Sequence, residues 1–568
     1  MEFQNDFKLG LALSGGGFRS ALFHVGVLAR LAELDLLRKI DVISSVSGGS
    51  IIAAYYYLKV KSLLEKKSAD DQTAPDREAY IRMVKEIETD FLAAVQKNML
   101  MRIFIDPGKN ARMLGADYSK TERLADLLTT YFFRPIWQPQ GEVIKKDRIA
   151  LKDISIKPVL THLSSETKVP FLIINATSLN TGHLWQFTSI SAGEQRTEIK
   201  TGQDSIGFLK KFRLDDDRLT IEQRKVLYHI TLGQAVAASS CVPGIFEPLE
   251  IRNLYKSARN PFTVRLVDGG LVDNQGLASL FAENCTHIIC SDASDILKHE
   301  HHPSLQFLNV ALRANDILMN RIRSKSLNKL FRYDPACYAL FDLGDHETRN
   351  HIFPEDSEKI VHSLTRIRTN LDSFSDIEAD TLMYYGYQLS RNVLQKNGFE
   401  PISDPIQNSR NWRFMEIRDL FLTNEERRKD LLHHLEVGSR QMFKVFLLKK
   451  IMPYLILLPF PVLIALLALY LVVRISPMVF WILVICFVLV LIYSQNIRIV
   501  ELMDNIAILK KIKQRILKIW ISLRLPEPFS YLIALLSWIQ LKVFDRLFLR
   551  YGRVRDKVVK PVFRWGRK

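Results

Sequence analysis

The sequence predicts an α/β fold, a three-layer α/β/α sandwich built on a mainly parallel central sheet, followed by a C-terminal membrane helical hairpin and basic amphipathic helices. Three observations carry this expectation. Short runs that are apolar on both faces alternate with helix-period segments near the N-terminus. Two uncharged stretches stand in tandem after residue 450. Positive charge gathers at the C-terminal end.

The elements follow in order. KLGLAL (residues 8–13) is an apolar strand that runs into Ser14-Gly15-Gly16-Gly17. Behind it Leu22, Val25, Leu28 and Leu31 recur at helical spacing. IDVISSV (residues 40–46) reads as a second strand, and GGSIIAAYYYLKV behind Ser47 as a buried helix. Strand, glycine loop, helix, strand, tight turn and helix make a βαβ unit with a parallel pair. VPFLIIN (169–175), TVRLV (263–267) and HIIC (287–290) are further strand candidates. Residues 61–160 are charged and read as a helical insertion over the core, and no internal repeat is evident. The chain is divided into a first domain at 1–440, a membrane hairpin at 441–500 and a basic amphipathic tail at 501–568.

The hairpin rests on length and charge. Residues 454–473 hold no charge over 20 positions, and 478–493 none over 16. At about 1.5 Å per residue these reach about 30 Å and about 24 Å, against a hydrocarbon core of about 30 Å. Pro459 and Pro461 interrupt the first run, so a spanning and a re-entrant hairpin both fit. Lys444, Lys449 and Lys450 precede the pair, Arg498 and Lys510 follow it, and the turn holds only Arg474. That bias places both ends in the cytoplasm. Of the net charge of +17, residues 494–568 carry +12 (17 Lys/Arg against 5 Asp/Glu), leaving +5 for the 493 residues before them. Leu502, Ile506, Leu509, Ile512, Ile516 and Ile519 form one helical stripe with most lysines off it, an interfacial pattern. Residues 529–541 are too short to span and read as a second interfacial or re-entrant piece, and the last residues mix arginine with aromatics. Anionic headgroups attract such a tail; nucleic acid is disfavoured by the neighbouring hairpin. Five cysteines without paired spacing suit a reducing compartment, and MEFQNDFKLG lacks the regions of a signal peptide. The expectation is a membrane-attached protein whose first domain faces the cytoplasm.

The chemistry centres on Ser47. Ser45-Val46-Ser47-Gly48-Gly49 has the small-x-Ser-x-Gly form of a nucleophile elbow, with Ser45 where glycine is usual. The competing reading is a glycine-serine turn at a helix cap. Gly15, Gly16 and Gly17, at the end of the neighbouring strand, supply amides able to accept an oxyanion, and Arg19 steadies that loop or meets a headgroup. GxxxxGK[ST] and GxGxxG are both absent, which argues against phosphate and dinucleotide loops. None of the 13 histidines announces catalysis: His24 packs or caps, and the adjacent spacing of HEHH (299–302) argues against a metal site. Asp268, after an apolar strand and before Gly269 and Gly270, is the stronger base candidate, because desolvation raises a carboxyl pKa toward a useful range. Asp273 competes, or shapes the turn with Asn274.

GGGFRS (15–20), SVSGG (45–49) and DGG (268–270), with NATSLNTG (175–182) and AASSCVPGIFEP (237–248), resemble the patatin-like phospholipase family in order and spacing, over about residues 8–294. The resemblance implies the patatin-like fold, a Ser–Asp dyad without histidine, Ser47 as nucleophile, Asp268 as base, Gly15 to Gly17 as oxyanion hole, and Arg19, Gly49, Gly269 and Gly270 in support. It implies a serine hydrolase of lipid carboxylic esters, of phospholipase A or lysophospholipase type, acting through an acyl-enzyme with no cofactor and no metal. Its partners are membrane lipids as substrate and anchor. A transacylase using the same dyad and a non-catalytic membrane scaffold are the alternatives.

Overall fold

A computed structural model describes residues 7–65, 74–114, 118–137, 148–159, 167–195, 209–255, 262–294, 297, 299–344, 352–353, 357–396, 412–423, 425–440, 444–448 and 526–554. The chain divides into two compact units. One comprises Met1–Ile103, Tyr118–Met442 and Asp545–Lys568; the other Phe104–Asp117 and Phe443–Phe544.

The first unit is built on one sheet. Its strands are β1 (Leu9–Leu13), β2 (Ile40–Val46), β3 (Phe171–Ser178), β4 (Leu184–Phe187), β5 (Ser191–Glu194), β6 (Phe212–Arg213), β7 (Leu249–Tyr255), β8 (Phe262–Asp268), β9 (His287–Asp292) and β10 (Tyr338–Asp342). Strand order is β10-β9-β1-β2-β3-β4-β5-β6, and β8 also pairs with β3 and carries β7 on its other edge. The run β10-β9-β1-β2-β3 is parallel throughout, as the apolar strands predict. From β3 onward the pairing is antiparallel. The cause is connection length: the link 179–183 between β3 and β4 is too short for the crossover that parallel strands need.

Helices α1 (Gly17–Glu33) and α2 (Gly48–Glu65) follow β1 and β2. Every residue of α1 is buried, including Leu22, Val25, Leu28 and Leu31 of the predicted stripe. Two charges at its C-terminal end are satisfied inside: Arg30 pairs with Glu33 at 3.2 Å, and Glu33 accepts from Tyr387 Oη at 2.6 Å and Trp412 Nε1 at 2.7 Å. α1 packs against the helix Asp376–Lys396, which covers that face of the sheet. The charged insertion is helical as expected, with α3 (Arg77–Val95) and shorter helices at Met99–Arg102, Pro107–Leu114 and Lys120–Leu128.

The C-terminal end departs from the tail that the sequence suggests. Helix Asp545–Tyr551 belongs to the first unit. Phe548 is buried and stacks on His434 at 5.2 Å, the side-chain amide of Asn98 donates to the Asp545 carboxylate, and Ile377 N–H donates to Gly552 O at 3.1 Å. An apolar side chain at this point meets protein, which its local sequence cannot distinguish from lipid.

In the second unit, helix Pro526–Ile539 packs on helix Pro107–Leu114, where Asn110 Nδ2 donates to Phe104 O at 2.7 Å and Ser530 O at 3.2 Å. Tyr531, Leu535, Leu536 and Trp538 remain exposed on it. Among the described residues no helix is long and apolar enough to cross a membrane. The sequence-predicted hairpin at 454–493 and the stripe at 502–519 lie outside the described residues.

Candidate active site

β2 ends at Val46 and α2 begins at Gly48, so Ser47 alone makes the turn. Its φ is 50°, a left-handed conformation that costs a non-glycine residue on the order of 1–2 kcal/mol. Two hydrogen bonds hold it there. Ser47 N–H donates to Ser239 Oγ at 2.9 Å, and Ser47 O accepts from Ser50 N–H at 2.8 Å.

Sheet register brings the remaining parts to this point. β2 and β8 lie end to end along one edge of β3, whose other edge carries β4, with Val46 beside Asn175 and Asp268 beside Ala176. The residue after Val46 and the last residue of β8 are therefore brought together alongside β3. Leu13 pairs with Ser45, so the glycine loop after β1 opens on the same edge. A Cβ built on Gly15 would stand 3.2 Å from Ser47 Cβ.

Ser47 and Asp268 are each 7 % exposed, and the Ser47 hydroxyl lies near enough to the Asp268 carboxylate to favour its charged form. Gly270 N–H donates to the same carboxylate at 2.8 Å, and Thr177 Oγ1 to the Asp268 carbonyl at 2.9 Å. Burial pushes the Asp268 carboxyl up to about 6, against the Gly270 N–H and the Ser47 hydroxyl, which pull it down. Asp273 is buried too, but its carboxylate caps the following turn, accepting from Gly276 N–H at 3.2 Å and Ala278 N–H at 2.6 Å. It shapes the loop and does not compete for the serine.

His24 lies under the glycine loop, its ring bonded to Ser291 Oγ at 2.7 Å and Ser14 O at 3.1 Å. Burial lowers its pKa to about 4, so it stays neutral there. Arg19 is buried and donates to the carbonyls of Thr365 (3.2 Å), Ile367 (3.0 Å) and Ala293 (3.0 Å). Its guanidinium ties the start of α1 to these two segments. Among the described residues no group of three or more His, Cys, Asp or Glu is placed to hold a metal ion, and HEHH is exposed.

One element of the expected oxyanion hole is corrected. Gly15 N–H is taken by Asn274 O at 3.0 Å, so it is not a free donor. Among the described residues the N–H groups of Gly16 and Gly17 meet no acceptor. Gly48, which the sequence reading left without a role, is the contact between loop and elbow. A Cβ there would lie 1.9 Å from Gly17 O, so only glycine permits the approach. Gly48, the residue after Ser47, starts α2. A Cβ built on Gly49 would lie 2.3 Å from Leu13 O, and one on Gly269 2.4 Å from Asn175 O, so these positions are confined to glycine as well.

Ser239 and Asn175 were also quoted only as motif members. Asn175 Nδ2 donates to Ser44 Oγ at 2.9 Å and Ser45 O at 3.1 Å, holding the strand just before the elbow.

Fold and site together define an α/β protein with a Ser–Asp pair at the edge of a parallel sheet, beneath a glycine loop. Residues 11–281 match the family model of the patatin-like phospholipases. No curated protein matches. Among solved structures, human GIVD cytosolic phospholipase A2 is similar at 13% identity and TM-score 0.39, over 70% of this chain and 60% of that one. VipD from Legionella pneumophila is similar at 15% identity and TM-score 0.27, over 69% and 67%. The chain thus spans about 60% of the human enzyme's length.

Proposed function

We propose that this chain is a membrane-attached lipid acyl hydrolase of phospholipase A or lysophospholipase type, working through Ser47 and Asp268. The observation that carries the reading is the meeting of two buried side chains, Ser47 and a desolvated Asp268, where β2 and β8 end beside β3. Ser47 Oγ attacks the ester carbonyl while its proton passes to Asp268. The carbonyl oxygen takes the negative charge, facing the amides of Gly16, Gly17 and Gly48 and the N-terminus of α2. As the tetrahedral species collapses, the C–O bond to the lipid alcohol breaks and Asp268 returns the proton to the leaving oxygen. Water then attacks the acyl-enzyme, giving its proton to Asp268. The Ser47–acyl bond breaks, the fatty acid departs and the proton returns to Ser47.

The attachment reading rests on chain direction. Residues 425–440 and 545–554 lie in the same unit, where His434 stacks on Phe548. A stretch that leaves this unit and returns to it enters and exits a bilayer from one side, as a hairpin at 454–493 would. The exposed Tyr531, Leu535, Leu536 and Trp538 suit an interfacial position.

The test is fatty acid release from phospholipid and lysophospholipid vesicles by the purified full chain. Ser47→Ala and Asp268→Asn should each lower the rate at least ~10³-fold with the fold retained by circular dichroism. Hydrolysis by Ser47→Ala within about tenfold of wild type would remove the proposal.

A further inference from the structure

We infer that Ser239 is the positioning residue that sets the nucleophile elbow in register with the base. This rests on the proposed Ser47–Asp268 chemistry and adds to it a residue outside the dyad. Ser239 is fully buried near the end of the helix Leu232–Ser240. Its Oγ accepts the Ser47 N–H at 2.9 Å and bonds Ser50 Oγ at 2.9 Å, one turn into α2. Its carbonyl accepts Gly269 N–H at 3.4 Å, and Asp268 N–H donates to Cys241 O at 3.1 Å, two residues on. One helix end therefore grips the backbone of the serine on one side and the backbone of the aspartate on the other.

The grip matters because of where the serine sits. At φ 50° Ser47 is outside the conformations its residue type prefers, and its amide has left the β2 ladder. Ser239 Oγ is the acceptor for that amide. Without it a buried donor stands unpaired, and relaxation of the turn toward ordinary dihedrals swings the hydroxyl away from Asp268. Ser50 gives an internal control. Replacing it removes the hydroxyl–hydroxyl bond and leaves the bond to Ser47 N–H in place.

The experiment measures the rate of phosphonylation by an alkyl fluorophosphonate and the KM and kcat for a soluble ester, in wild type, Ser239→Ala, Ser239→Thr and Ser50→Ala, with thermal melting in parallel. In Ser239→Ala the phosphonylation rate and kcat should fall about 10- to 100-fold with KM within about twofold, the scale of a misplaced reacting group. Ser239→Thr, which keeps the acceptor oxygen, should recover at least half of that loss on a logarithmic scale, and Ser50→Ala should stay within about threefold of wild type. A Ser239→Ala rate within about twofold of wild type, a loss matched by loss of folded protein, or an equal loss in Ser50→Ala overturns the positioning role. Wild-type protein that takes no label overturns the dyad reading and this role together, an outcome distinct from labelling that is indifferent to Ser239.

Discussion

Replacing Asp268 by asparagine should abolish hydrolysis and make the protein more stable above neutral pH. The magnitude follows from the site. Burial lifts the carboxyl from 3.8 to about 6, and that value already includes the opposing effects of the Gly270 N–H and the Ser47 hydroxyl. A raised carboxyl pKa means that the folded state resists ionisation. The stability associated with the neutral acid is complete below about pH 3.8 and is lost as pH rises through about 6. Roughly two pKa units at 1.36 kcal/mol each give a penalty of about 3 kcal/mol above pH 7, and of about 1 kcal/mol at pH 4.5. Asparagine has the shape of the neutral acid and carries no such penalty. Urea denaturation of both proteins at pH 4.5, 6 and 8, followed by tryptophan fluorescence, reads the difference. The variant's advantage should widen by about 2 kcal/mol between pH 4.5 and 8. A difference that is flat with pH, or a variant weaker than wild type at pH 8, would refute desolvation as the state of this carboxylate.

Other outcomes follow from the same geometry. The acidic limb of kcat/KM should have its midpoint near the carboxyl value of about 6, with activity rising as Asp268 ionises; a limb near 4 in a pH–rate profile would contradict a desolvated base. Gly48→Ala places a methyl 1.9 Å from Gly17 O, so the glycine loop must back away from the elbow, and hydrolysis should fall at least ~100-fold with the sheet intact by circular dichroism. Retained activity in that variant would mean the loop takes no part. Phe548→Ala removes a buried ring stacked on His434 and should destabilise the first unit by about 3–5 kcal/mol in denaturation, whereas a merely peripheral tail would lose under about 1 kcal/mol.

The parallel half of the sheet was legible because β1, β2, β3 and β9 are almost wholly buried and each carries a short run rich in apolar residues. The antiparallel half was not. β5 is Ser-Ala-Gly-Glu and β6 only Phe-Arg, segments whose pairing comes from their neighbours and not from their own propensity. Ser47 and Asp268 could be picked out because one follows and the other ends a strand, each immediately before glycine, a position that presents a side chain at the end of the sheet. Which amides stay free could not, since the occupation of Gly15 N–H by Asn274 O depends on a loop more than 250 residues away. Ser239 was hidden for a similar reason. AASS reads as a run of small helical residues, and its role appears only when that helix end is laid across two strand ends. What the segment 545–554 packs against could not be read, because an arginine-aromatic pattern suits a lipid surface and a protein core boundary equally well.

The central claim, that a hydroxyl made nucleophilic by one carboxylate does the chemistry, is tested most directly by peptide mapping after fluorophosphonate treatment of the full chain. One phosphonyl group on Ser47, formed at least ~100-fold more slowly in Asp268→Asn, is the predicted result. An adduct on another residue, or labelling of Ser47 at an unchanged rate without the carboxylate, would contradict it.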